Sequence, residues 1–294
     1  MEKTSEEGEG NMNWKLFGVI VLLTGMSYFA GHGYGRQHVA ETAVAAPVAV
    51  NSPSAHRHGH AGNAANEAAT EAVWSAENAV AGEETTIHIR IQDEEGEPIQ
   101  DFDISHEKLM HLIVVSKDLS YFDHIHPAYN GNGTFSTTTS FPAGGEYKLI
   151  ADYVPTGGSP TTRTEWIEVK GTPAEAVPLV RDREHAKTAD GVMVTLVNGH
   201  PISGSDFELV FQLADAETKE PVADLEPYLG AVGHVVILSE DTEEYLHVHP
   251  IDELASGPEA RFATSFPEAG MYKVWAQFQR QGKVITVAYV VEAE

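Results

Sequence analysis

The chain repeats itself at long range. Pro98 and Asp101, then His111, then His124-Ile125-His126-Pro127, recur as Pro221 and Asp224, then His234, then His247-Val248-His249-Pro250, all at one offset of 123 residues. The match resumes downstream as Ser140-Phe141-Pro142 and Tyr147-Lys148 against Ser265-Phe266-Pro267 and Tyr272-Lys273, now two residues further apart. The insertion therefore belongs in a loop. Whatever the first copy folds into, the second must fold into as well, so the 294 residues are predicted to build two domains and not one continuous core.

Within each copy the local pattern is that of short strands. Thr85-Thr86-Ile87-His88-Ile89-Arg90-Ile91 alternates with period two, Phe135 to Thr139 does the same, and Phe207 to Leu213 does so in part, with Gly, Pro, Asn and Asp between the runs. No helical periodicity competes. The fold class expected is all-β: two tandem immunoglobulin-like antiparallel β-sandwiches, the first over residues 73–170 and the second over 179–294, with a hinge from Gly171 to Pro178. Tyr147 and Tyr272, each two residues after a glycine, match the tyrosine corner of that architecture.

Ahead of the repeats, residues 1–13 form a short tail. Residues 14–31 contain an apolar run, WKLFGVIVLLTGMSYFA, at the short end of what spans a bilayer, and are expected to be an uncleaved transmembrane signal-anchor, with a cleaved signal peptide as the rival reading. Residues 32–72, rich in Ala, Val, Pro, Asn and Gly, read as a disordered tether carrying His56, His58 and His60. This organisation predicts a single-pass protein of the cytoplasmic membrane with its domains on the periplasmic or extracellular side.

Charge and cysteine usage narrow the chemistry. A formal charge of −26, from 44 acidic and 18 basic residues, repels nucleic acid. The absence of cysteine excludes disulfides, thiolate catalysis, iron–sulfur clusters and the His₂Cys blue-copper site. Fifteen histidines make an imidazole metal site the chemistry open to the chain.

Their spacing supports it. His111 to Ser116 is a strand, Lys117-Asp118-Leu119-Ser120 a turn, and Tyr121 to His126 the returning strand. A loop centred on Asp118-Leu119 sets Ser116 opposite Tyr121 and His111 opposite His126, with His124 on the same face. The second copy is expected to repeat this with His234, His247 and His249, giving one three-histidine site per domain. A lone strand histidine is usually structural; three that register brings together, twice, point to a transition metal. Three imidazoles suit copper or zinc ions. Met110 is expected in the core and His106 on the surface, while His88 and His200 are expected to be structural.

At His111 to Pro127 and at the Ser-Phe-Pro to Tyr-Lys segment, the chain resembles bacterial YtkA-like extracytoplasmic domains over both repeats. That resemblance implies an immunoglobulin- or cupredoxin-like sandwich and a link with metal handling, copper above all. The function expected is a non-enzymatic copper- or zinc-binding protein that buffers the ion or delivers it to a transporter or efflux partner. The alternative is a tandem sandwich acting as an interaction or adhesion module, its histidines structural.

Overall fold

The computed structural model describes residues 70–246 and 248–294; the expected membrane span and most of the tether lie outside them. The first sandwich is built from β1 (Thr70–Glu77), β2 (Glu84–Asp93), β3 (Phe102–Asp103), β4 (Met110–Ser116), β5 (Phe122–Ile125), β6 (Ala128–Tyr129), β7 (Thr134–Ser140), β8 (Gly145–Pro155) and β9 (Thr161–Val169). The second comprises β10 (Ala186–Ala189), β11 (Val192–Leu196), β12 (Asp206–Asp215), β13 (His234–Ser239), β14 (Tyr245–Leu246), β15 (His249–Pro250), β16 (Glu259–Ser265), β17 (Gly270–Arg280) and β18 (Lys283–Ala293). Every pairing between named strands is antiparallel. The fold is all-β, two immunoglobulin-like sandwiches in tandem. The first strand takes in Thr70, Glu71 and Ala72, which the sequence places in the tether; they pair with Asp93, Gln92 and Ile91 of β2.

In the first sandwich one sheet runs β1-β2-β7-β6, and the other runs β3-β8-β4-β5 with β9 also on β8. In the second the sheets run β10-β11-β12-β16-β15 and β14-β13-β17-β18. Each pair of sheets closes over its own core, formed around Ile87, Ile89, Leu112, Val114 and Phe135 in one case and around Val194, Phe211, Ile237, Phe262 and Phe278 in the other. The tyrosine corners form as expected: Tyr147 Oη donates to the Ala143 carbonyl at 3.0 Å and Tyr272 Oη to that of Glu268 at 2.9 Å.

β4 departs from simple alternation because both of its faces are buried. Met110, Leu112 and Val114 face the first core. His111, Ile113 and Val115 face the other way, and the latter two join Leu119 and Ile150 in a cluster with Val236, Leu238 and Trp275 of the second sandwich. The two sandwiches therefore share an apolar seam. Repeat-equivalent residues meet across it, since Val236 and Leu238 stand 123 positions after Ile113 and Val115. Phe122 stacks on Trp275, ring centroids 4.7 Å apart, and the buried Lys148 ammonium donates to the Thr242 carbonyl at 2.7 Å. The expected hinge is tied down at two points, through Gly144 N–H to the Thr172 carbonyl and Val177 N–H to Asp118 Oδ2, each at 2.9 Å.

Candidate functional site

The first hairpin has the register read from the sequence. Leu112 pairs with Ile125 and Ile113 with His124, and Ser116 N–H donates to the Tyr121 carbonyl at 3.2 Å. The turn is held by Asp118, whose Oδ1 accepts from Ser116 Oγ at 2.6 Å and from Ser120 N–H at 3.1 Å. Continuing that ladder puts His111 opposite His126 and places His124 diagonally beside them, on the face turned toward the seam. Ring nitrogens of His111, His124 and His126 lie within 4.8 Å of one another.

The second hairpin keeps the register at its turn but not the trio. Ile237 pairs with Leu246 and Leu238 with Tyr245, whereas His249 has crossed to the opposite sheet, where it pairs with Ala263 of β16 and is exposed. His247 lies outside the described residues. The expectation of His249 opposite His234 is therefore corrected: β14 stops at Leu246 and the chain changes sheets before the ladder reaches His234. His234 instead faces the first-sandwich trio across the seam, its ring centroid 4.8 Å from that of His124 and 5.7 Å from that of His111, the latter pair nearly parallel at 10°.

His106, expected on the surface, also belongs here. Its ring lies 6.0 Å from His111 and 5.6 Å from His234. It sits in a tight turn in which Ser105 and Lys108 exchange backbone bonds of 2.9 and 3.0 Å, and both central residues, His106 and Glu107, have positive φ (46° and 65°). Such a primed turn normally calls for Gly or Asn, so a His-Glu pair there is strained. Met110 is in the core, as read from the sequence.

Hydrogen bonding within the cluster has one answer at each atom but the last. His111 Nε2 donates to the Ser105 carbonyl at 3.0 Å, which leaves Nδ1 bare and makes His124 Nε2 the donor in the 3.0 Å contact between the two rings. A neutral His124 then has no hydrogen on Nδ1. Yet 2.8 Å from Nδ1 stands Gln277 Oε1, itself an acceptor. Three resolutions exist. One of the two rings is an imidazolium, either His124 itself or His111 donating from both nitrogens and so leaving His124 Nδ1–H to donate, and burial opposes both, lowering the pKa of His111 and pushing that of His124 down to about 3. The Gln277 amide turns over, its oxygen then accepting from Thr286 Oγ1, now 3.2 Å from Nε2. Or a cation replaces the hydrogen between the rings: His111 Nδ1 and His124 Nε2 both become ligands, and His124 Nδ1–H donates to Gln277 Oε1 where it already stands.

In the third case each ligand ring has the outer partner that metal-bound histidines characteristically have, a carbonyl accepting from the far nitrogen. His126 Nε2 is buried and makes no hydrogen bond among the described residues, so it is a third donor without another task.

The electrostatics keep the rings neutral. Burial lowers the pKa of His111, takes His126 down to about 4, and drives His234 well below its usual value, with His124 adding repulsion. Neutral imidazole is the form that binds metal. Asp152 pairs with His111 across β4 and β8, and burial raises its carboxyl to about 6, an effect eased by His106. In the second sandwich Gln277 occupies the equivalent place opposite His234.

Residues 65–171 and 187–294 each match the family described as Domain of unknown function (DUF8832). The chain belongs to that family, in two copies. The matched family is this one and not the YtkA-like one that the motif resembles; the motif covers a hairpin and a tyrosine corner, features that a sandwich of this architecture requires in any case. No curated protein matches the chain. Among solved structures it is similar to the Escherichia coli adhesin FdeC, at 14% identity over 78% of this chain and 66% of that one, with a TM-score of 0.27. It is similar also to invasin, a bacterial integrin-binding protein (13%, 76% and 39%, TM-score 0.23), and to the Yersinia pseudotuberculosis adhesin InvE (11%, 76% and 60%, TM-score 0.24). The chain thus spans between 39% and 66% of those three, and likeness of this degree carries no conclusion about function.

Proposed function

We propose that the chain is a non-enzymatic transition-metal-binding protein, copper or zinc being the ion, with His111, His124 and His126 as ligands. The observation that carries this reading is the contact of His124 Nδ1 with Gln277 Oε1 at 2.8 Å. With both rings neutral and the Gln277 amide oriented as it is, acceptor meets acceptor there, and an ion in place of the hydrogen shared with His111 would relieve the clash. The orphaned His126 Nε2 supports the same reading. We further propose that residues 14–31 anchor the chain in the cytoplasmic membrane. Both copies of the domain then lie on the periplasmic or extracellular side, where the site buffers the ion or passes it to a transporter or efflux partner.

The experiment is a metal titration of the full chain with His56, His58 and His60 changed to Ala, which removes the tether's own imidazoles. One tightly bound ion per chain is expected, lost in the His111→Ala, His124→Ala double variant. Retention of the ion in that variant would refute the assignment.

A second reading is that of a tandem sandwich acting as an interaction or adhesion module. Its supporting observation is that a turned Gln277 amide satisfies His124 with no ion at all, so the histidines serve only to fill the seam. The adhesins named above lie on its side, though at TM-scores of 0.23–0.27 they add no weight. This reading requires that the same double variant lower stability while leaving metal content unchanged.

A further inference from the structure

We infer that the ion is held between the two sandwiches and not within the first alone, His234 of the second sandwich completing its coordination. This rests on the metal reading above and extends it from one domain to the junction of two. The His234 ring stands as close to His124 as His126 does, with centroids 4.8 Å apart in both pairs. Its distance to His111, 5.7 Å, compares with 5.2 and 5.0 Å within the trio itself. His234 is outside the group of ring nitrogens that lie within 4.8 Å of one another, so a turn of its side chain would be needed to bring it onto an ion held by His111, His124 and His126, and four imidazole nitrogens are a donor set that suits divalent copper.

The second sandwich already serves the site in another way. Gln277, which pairs with His234 across β13 and β17, provides the carbonyl that would hold His124 in its ligating tautomer. Both residues come from the face of the second sheet that covers the apolar seam, so a site built this way exists only while the seam is closed. On the other flank the primed turn sets His106 beside both His111 and His234, and a Cβ on Gly230 of the facing, equivalent turn would lie 3.5 Å from Glu107 Cγ. Strain held in a turn at this point is explained if the turn is clamped against its counterpart. The ion is then a fastener: it binds the closed pair of sandwiches and not the opened one, and stabilises the closed pair by mass action.

The test uses the full chain with His56, His58 and His60 changed to Ala and one equivalent of Cu(II). Pulsed paramagnetic resonance counts the coordinated imidazoles. Four are expected, falling to three in both His234→Ala and His234→Gln, the latter chosen to keep a polar side chain of similar bulk in the seam. Affinity should fall by more than the ~10–100-fold that loss of an outer partner costs, and the copper-induced rise in the thermal midpoint should shrink in the same variants. Three imidazoles and equal affinity in all three proteins would place the ion in the first sandwich alone, overturning the fastener while leaving the metal site intact. Four imidazoles in the His234 variants would mean that the fourth ligand is another residue and would equally overturn it. Absence of bound copper in the parent protein would remove both proposals together.

Discussion

The two hairpins that carry the histidines start from the same spacing and end differently. In the first, β5 stays on β4 as far as Ile125, and only after Pro127 does the chain cross to pair with β7. In the second, β14 ends at Leu246 and the crossing is complete by His249, which already pairs with β16. The ladder to the far sheet is in equivalent register in both copies but begins two residues earlier in the second, because His249 and Pro250 pair where His126 and Pro127 do not. The same histidine spacing thus places an imidazole at the seam in one copy and at an exposed edge in the other. Sequence spacing determines which residues face the same way on a ladder; it does not determine how long the ladder continues.

That contrast is sharpened most by removing ligands on each side. His124→Ala is expected to abolish high-affinity copper binding and His249→Ala to leave it unchanged, as read by isothermal titration; equal effects of the two would erase the difference drawn between the hairpins. Next in size is the seam. Trp275 is 4% exposed and stacked on Phe122, so Trp275→Ala should cost about 3–5 kcal/mol, measured by denaturant unfolding. A cost near zero would mean that the sandwiches do not lean on each other.

Acidification is the third probe. Burial pushes the pKa of His124 down to about 3 and that of His126 down to about 4 in the folded protein, against an ordinary 6.5, and lowers those of His111 and His234 too. The unfolded chain therefore binds more protons than the folded one below pH 6.5, and stability falls as pH drops from 6.5 toward 4. Asp152 works the other way: raised from 3.8 to about 6, it favours the folded state below that range and loses the contribution as pH rises through it. One carboxyl offsets part of what four imidazoles contribute. Asp152→Asn should consequently steepen the loss of stability on acidification, as followed by thermal midpoints in the metal-free protein. The smallest effect expected is that of Lys148→Met, about 1–3 kcal/mol for leaving the buried Thr242 carbonyl without its donor.

Much of the fold was legible because it is local. Period-two runs such as Ile87-Ile89-Ile91, the Ser116–Tyr121 turn and the corners at Tyr147 and Tyr272 depend on side-chain alternation and short-range bonds, and all are present. The grouping of His111, His124 and His126 followed from the same alternation. The placement of His234 and His106 did not, since neither their partners nor their distances are encoded within one hairpin. A signal was available all the same. Ile113 and Val115, like Val236 and Leu238, are apolar at positions that a half-buried sheet would leave to solvent, and such a strand needs a cover on its second face. Two repeats offering the same uncovered face could cover each other.

By itself, then, the sequence determined the doubled unit, the strand class and which histidines share a side of the first hairpin, because these follow from periodicity within a few residues. Tertiary structure alone decided that the two units pack face to face, that His234 joins the first set of histidines, and that His249 leaves for the opposite sheet. Those outcomes depend on which apolar faces find each other, across segments more than a hundred residues apart, and on where a strand leaves one sheet for the other, which is fixed by the pairing of His249 and Pro250 with β16.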